Sequence, residues 1–262
     1  MKRKTRTGAA EKKPPQSVRI TTGRESGLHR ALKYRCTGAG GETEISRGKY
    51  ICDGINKKGE IIEVQTGSFR PLKQKIKDLA VQGKVRIIHP IVLRKDIEVY
   101  DSEGNWLYRR RSPRRGSEWD LFRVLIHAPE FPETAGLTIE LALVEVREKR
   151  VKDGKGSWRR NGASIADREL SAWQGSVSLA KKRDYRRFVP FGAKERFTAR
   201  DLAEKAEINR VLATKTLYVL QKINLVKRIE KKGRAWIYTT TLNRDKKGGK
   251  GPSAPPPPLH RR

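Results

Sequence analysis

The apolar, β-branched run Val85–Leu93 constrains this chain more than any other segment. It leaves no polar face for water, so it reads as a strand buried on both sides. Upstream, Ile61–Gln65 reads as a second strong strand. Between them Leu72–Gln82 is amphipathic, with Leu72, Ile76 and Leu79–Ala80 on one side, the spacing of a helix. Two shorter strand-like runs precede these, near 42–47 and 49–53, and Asn56-Lys57-Lys58-Gly59 reads as a turn. Residues 25–36 place Leu28, Ala31 and Leu32 at helical spacing before Gly38, Gly40 and Gly41 break the helix. The expected order is helix, strand, strand, strand, helix, strand, a mixed α/β (α+β) arrangement.

Residues 97–187 are less legible. Val99–Tyr108 reads as a hairpin around Ser102–Asn105, Glu118–Ile126 as helical, and Thr138–Val146 as a strand that alternates well. Lys152–Gly156 reads as a turn, and no architecture emerges for the region as a whole. Beyond it, Phe197–Ala206 carries Leu202, Ala203 and Ala206 at helix spacing, with Thr198 as N-cap and Asp201 as the capping-box acid. A second helix buries Ala213, Leu217, Leu220 and Ile223 and ends at Asn224, a residue that tolerates a left-handed conformation. Leu225–Glu230 and Ala235–Thr240 then flank the basic turn Lys231-Lys232-Gly233-Arg234. Helix, turn, helix and basic hairpin over 184–243 resemble a winged helix-turn-helix. That resemblance implies a second helix entering a DNA major groove, offering Arg210, Thr214, Lys215, Tyr218 and Lys222, with Lys231, Lys232 and Arg234 at the hairpin tip. A winged helix used for docking proteins is the competing reading.

Charge narrows the partner. Lys and Arg number 60 against 29 acids, a formal net charge of +31. Self-repulsion of that size calls for a polyanionic partner, and DNA is expected. Residues 1–24 read as a disordered basic arm and 244–262 as a disordered Lys/Gly/Pro tail with the run Pro255–Pro258. The excess does not reside in these ends alone, because Arg109–Arg111, Arg114–Arg115, Lys181–Arg183 and Arg186–Arg187 lie between them. No membrane-length apolar helix or lipidation motif is legible, so no membrane partner is expected, and a cytoplasmic, nucleoid-associated location and a homodimer fit. Cys36 and Cys52 form no CxxC and no Cys/His cluster, so they read as small core residues in a reducing compartment. Of Trp106, Trp119, Trp158, Trp173 and Trp236, most read as core, and Trp158 beside Arg159 is the one best suited to stack on a base.

The chemistry-bearing residues lie in the N-terminal part. Alternation puts Ile61, Glu63 and Gln65 on one strand face and Ile62 and Val64 on the other. Asp53 ends the preceding strand, and a tight turn brings it alongside Glu63. Two adjacent carboxylates need a shared proton or cation, and oxygen ligands favour Mg2+ or Mn2+. Here the pattern resembles the PD-(D/E)XK nuclease superfamily, whose restriction-endonuclease-like αβββαβ core carries an Asp followed by Glu-x-Lys on the next strand. The resemblance implies a core over 25–183 with a β-rich extension, and Asp53 and Glu63 as metal ligands helped by the Val64 carbonyl. It makes Glu25, on the first helix and beside His29, an accessory acid. Gln65 stands where Lys is usual, and Lys73 or Lys75 from the next helix are candidates to supply the missing charge. The whole chain, including Arg110-Arg111-Ser112-Pro113-Arg114-Arg115, also resembles an uncharacterised bacterial family pairing such a core with a winged helix. The expected function is a metal-dependent DNA nuclease. The alternative is a non-catalytic DNA-binding protein or transcription regulator that keeps the fold as scaffold.

Overall fold

A computed structural model describes residues 25–241. The basic arm and the Lys/Gly/Pro tail lie outside the described residues. The first helix, α1 (Gly27–Thr37), starts where the Ser26 side chain accepts the His29 N–H and stops at Gly38, whose φ of 72° is left-handed. Glu25 therefore precedes the N-cap and is not on the helix as the periodicity suggested. Strands β1 (Glu42–Arg47), β2 (Tyr50–Ile55) and β3 (Ile61–Val64) form an antiparallel meander. Gly59, with φ of 72°, lets the chain turn between β2 and β3. Helix α2 (Lys73–Gln82) then carries the chain across to β4 (Val85–Tyr100), which runs parallel to β3.

The region that sequence left without an architecture is a sheet extension. Strand β4 continues well past Leu93, through a register shift, and turns back as β5 (Trp106–Arg111). After short helical turns at Glu118–Leu121, α3 (Phe122–Leu125) and Phe131–Glu133, strand β6 (Leu137–Val151) runs parallel to β4 along its whole length. Strand β7 (Ser164–Leu179) returns antiparallel along β6. The seven-stranded mixed sheet has the order β1-β2-β3-β4-β6-β7, with β5 paired to the outer half of β4.

Both faces of the sheet are covered. Ile62, Val64, Ile88, Ala142, Val144 and Val146 pack against Leu28 and Leu32 of α1. Ile61, Val85, Ile87, Ile91, Ile139 and Leu141 pack with Ile76 and Leu79 of α2 and with Phe122 and Leu125 of α3. This double coverage explains the continuous apolar character of Val85–Leu93, because successive residues face opposite helix layers. His89 is buried, with Nδ1 2.6 Å from the Gln65 carbonyl and its ring edge-on to Phe69, a packed core histidine.

The C-terminal part holds β8 (Arg196–Phe197), α4 (Ala199–Lys205), α5 (Arg210–Lys222), β9 (Val226–Lys232) and β10 (Ala235–Thr240). The strands form a separate sheet in the order β8-β10-β9. Thr198 and Asp201 make the expected capping box, but Phe197 belongs to β8, stacked on Phe191, rather than to the helix. Asn209 caps α5, and Asn224 adopts a φ of 53° after it. Leu212, Leu217 and Leu220 of α5 join the same core cluster as Leu121, Phe122 and Phe188, so this module is fused to the α2 side of the large sheet.

Candidate functional site

Strands β2 and β3 stay paired only through Gly54–Ile62 and then part. The Asp53 carboxylate fills the parting: Oδ2 accepts the Val64 N–H at 2.7 Å, and Oδ1 lies 3.2 Å from His29 Nε2 of α1. Gly54 permits this placement, because a Cβ there would lie 2.5 Å from Thr37 Oγ1 and 2.7 Å from the Glu42 carbonyl. Burial alone pushes the Asp53 carboxyl up, but the hydrogen bonds from His29 and Val64 and the Lys75 charge outweigh it and hold it below its ordinary value.

Glu63 leaves β3 on the side of Ile61, towards α2. It is buried, and Lys75 Nζ lies 2.6 Å from its Oε1. That oxygen has no aligned hydrogen-bond donor. Burial pushes the Glu63 carboxyl above its ordinary value despite Lys75, and the Asp53 charge adds to the rise. Lys75 also donates to the Ile51 carbonyl at 2.7 Å, which fixes its ammonium between β2 and β3. The Cys52 thiol is buried beside Glu63 and is pushed up to about 11, by burial first and by that carboxylate second.

The other expected members are placed less centrally. Glu25 Oε1 lies 2.8 Å from Lys33 Nζ and 3.6 Å from His29 Nε2. Lys33, buried between Glu25 and Glu44, was not singled out from sequence, although Glu25, His29 and Lys33 recur every four residues. Gln65 Nε2 donates to the Ser68 carbonyl at 2.7 Å, closing the loop after β3. Lys73 pairs with Glu130 at 2.8 Å, so of the two lysines considered only Lys75 meets the carboxylates. Among the described residues, no group of three His, Cys, Asp or Glu side chains is arranged to hold a metal.

On α5, Arg210, Thr214, Tyr218 and Lys222 recur every four residues. Arg210, Thr214, Tyr218 and Lys222 are exposed, and Lys215 is half-buried. Lys222 Nζ sits 5.8 Å from the Tyr218 ring centre, and the Thr214 hydroxyl donates back to the Arg210 carbonyl. Lys231, Lys232 and Arg234 are exposed at the β9–β10 turn, where Gly233 has φ of 58°. Trp236 lies on this hairpin with the Arg228 guanidinium 4.9 Å and Lys231 Nζ 5.8 Å from its ring. Of the five tryptophans only Trp119 is buried; Trp106, Trp158 and Trp236 are exposed, contrary to the expectation that most are core. A tryptophan on a strand edge is flanked by the same residue types as one in a core, so alternation does not separate the two.

The family model for "Domain of unknown function (DUF8091)" matches residues 26–180, more than half of the chain, from the cap of α1 to the end of β7. The chain belongs to this family. The DUF8091 region thus contains Asp53, Glu63, Lys75 and the sheet extension, and excludes α4, α5 and the β9–β10 hairpin. An uncharacterized protein of Treponema pallidum (strain Nichols) is 28% identical over 239 residues, covering 91% of this chain and 92% of its own length. That similarity is too long to be confined to the DUF8091 region and takes in residues of the C-terminal module as well. No solved structure matches. Among the described residues no helix is long and apolar enough to cross a membrane.

Proposed function

We propose that the protein is a metal-dependent nuclease acting on DNA, with a PD-(D/E)XK-like core over 25–183 and a winged helix over 184–243. The observation that carries the reading is the arrangement of Asp53, Glu63 and Lys75 where β2 and β3 part. Asp53 fills the parting, Lys75 is fixed against Glu63 beside it, and both carboxyls feel the Lys75 charge, in the elements in which the superfamily keeps its site.

The residues fit a magnesium-type ion. Mg2+ takes one or two carboxylates and completes its shell with water and substrate phosphate, so a third protein ligand is not required. Glu63 Oε1 is buried without an aligned hydrogen-bond donor and lies 2.6 Å from the Lys75 ammonium, so a divalent ion bound there would share this oxygen with that lysine. Asp53 and Glu63 would hold Mg2+ or Mn2+. Such an ion, when bound, lowers the pKa of water and offsets phosphate charge. Lys75 takes the part the superfamily gives to the lysine of its motif, presenting a positive charge for a developing anion from the neighbouring helix. Gln65, tied to Ser68, shapes the loop after Glu63. Arg210, Lys215, Tyr218 and Lys222 contact the groove, and Lys231, Lys232 and Arg234 contact phosphates.

A non-catalytic scaffold reading has two observations in its favour: Gln65 replaces the usual lysine, and Glu63 is already neutralised by Lys75. Incubation of the protein with duplex, single-stranded and branched DNA, with and without Mg2+ or Mn2+, separates the two. Cleavage that chelator stops supports the nuclease, and intact DNA under all conditions supports the scaffold.

A further inference from the structure

The outer end of the sheet extension carries a surface that neither the carboxylate site nor α5 uses. Every residue of β5 is exposed: Trp106, Leu107, Tyr108, Arg109, Arg110 and Arg111. Trp106 and Tyr108 are each about two-fifths accessible, although large aromatic groups are ordinarily turned inward. The next segment adds exposed Arg114 and Arg115, with no acid between Trp106 and Arg115. Asp96 neutralises Arg109 at 2.6 Å and approaches Arg111 at 3.8 Å, while Arg110 and Arg115 have no acidic partner among the described residues.

The connection from β6 to β7 leaves from the same end, where Lys152 N–H donates to the Tyr100 carbonyl and Tyr100 pairs with Trp106. Lys152 Nζ reaches across to sit 5.5 Å from the Tyr108 ring. Within that connection Trp158 is 81% exposed, with the Arg159 guanidinium 5.4 Å from its ring. At both Tyr108 and Trp158 a cation lies near one aromatic ring. That pairing suits a base on the ring and its phosphate on the cation.

We propose that this end of the sheet binds single-stranded nucleic acid, independently of the carboxylate site. A duplex keeps its bases stacked inside and offers the rings nothing to stack on, whereas an unpaired strand offers both bases and phosphates. A second copy pairing along the β5 edge is disfavoured by three successive arginines and by the register shift between Val99 and Tyr100, which leaves Leu107 of β5 without a partner, both devices that keep edge strands apart.

The test uses the full chain with dye-labelled oligothymidylate and oligouridylate, a hairpin duplex, and vesicles of phosphatidylcholine with phosphatidylserine. Single strands should quench tryptophan emission and raise anisotropy. The exposed-site variants Trp106→Ala, Trp158→Ala and Arg110→Ala/Arg115→Ala should keep the parent melting temperature. Each aromatic variant should weaken single-strand binding roughly 5- to 150-fold, and duplex binding by less than about twofold. Lys231→Ala/Lys232→Ala should show the reverse pattern, weakening duplex binding more than single-strand binding. The proposal is overturned if the aromatic variants bind single strands like the parent, if they lose duplex binding equally, or if the parent prefers vesicles to oligonucleotides.

Discussion

Glu148 lies on β6 at the centre of the extension and is fully buried. Lys95 of β4 approaches it at 3.1 Å, Arg150 of its own strand at 2.5 Å and Arg168 of β7 at 2.9 Å, so one carboxylate ties three strands together. Burial alone would raise its carboxyl, but the hydrogen bonds from Arg168 and Arg150 and the charge of Lys95 win and lower it from 4.5 to about 2. A difference of about 2.5 pH units at about 1.4 kcal/mol per unit makes the ionised form worth about 3 kcal/mol to the fold. Because the folded value is the lower one, this contribution is complete above about pH 4.5 and is lost as pH falls towards 2. Glu148→Gln removes it and leaves three cations facing a neutral amide. The melting temperature at pH 7 should fall by roughly 6–12 °C, taking about 2–4 °C per kcal/mol for a chain of this size. Urea melts of parent and variant from pH 7 to 3 should show a constant gap that shrinks below about pH 4.5. A variant as stable as the parent at pH 7, or a gap unchanged down to pH 3, would refute the reasoning.

Lys75→Met should reduce metal-dependent cleavage on the order of 100-fold or more, by analogy with loss of one preorganised charge at a reacting phosphate. Gln65→Lys added to it should recover part of the rate; no recovery would separate Gln65 from the reacting centre. Lys215→Ala and Tyr218→Ala should each weaken duplex binding by roughly 1–3 kcal/mol where they meet a base, more than Arg200→Ala on α4, as read by anisotropy. Duplex binding as tight as the parent's in both α5 variants would favour a protein-docking winged helix. Duplex affinity should fall steeply along a salt series, as expected for +31 of charge spread over the chain, and a flat response would exclude phosphate contacts as its source.

Much of the fold was legible because local patterns and global packing agree in it. Val85–Leu93 reads as buried since α1 and α2 cover its two faces, and the Thr198–Asp201 capping box marks the start of α4. The extension was not legible for a physical reason. Strand β7 is an edge strand with most residues half-buried, so Ser164–Leu179 shows neither clean alternation nor an apolar run. The hairpin reading of Val99–Tyr108 reaches the first half of β5, but Arg109–Arg111 are exposed and mimic a loop. At the site, alternation puts Glu63 on the face that meets α2, but it carries no record of the tertiary contact that selects Lys75 over Lys73. Two lysines two residues apart on a helix point about 200° apart, and only docking on the sheet decides which one arrives.

The most direct measurement is cleavage and binding of the same DNA by the parent, Asp53→Ala and Glu63→Ala in Mg2+ or Mn2+ and in chelator. A nuclease built as proposed cuts DNA only in the parent with metal, while both variants bind DNA at least as tightly as the parent does in chelator, since each has lost a negative charge. Cleavage that survives either substitution, or a parent that cuts no DNA or RNA substrate in metal, would contradict the account.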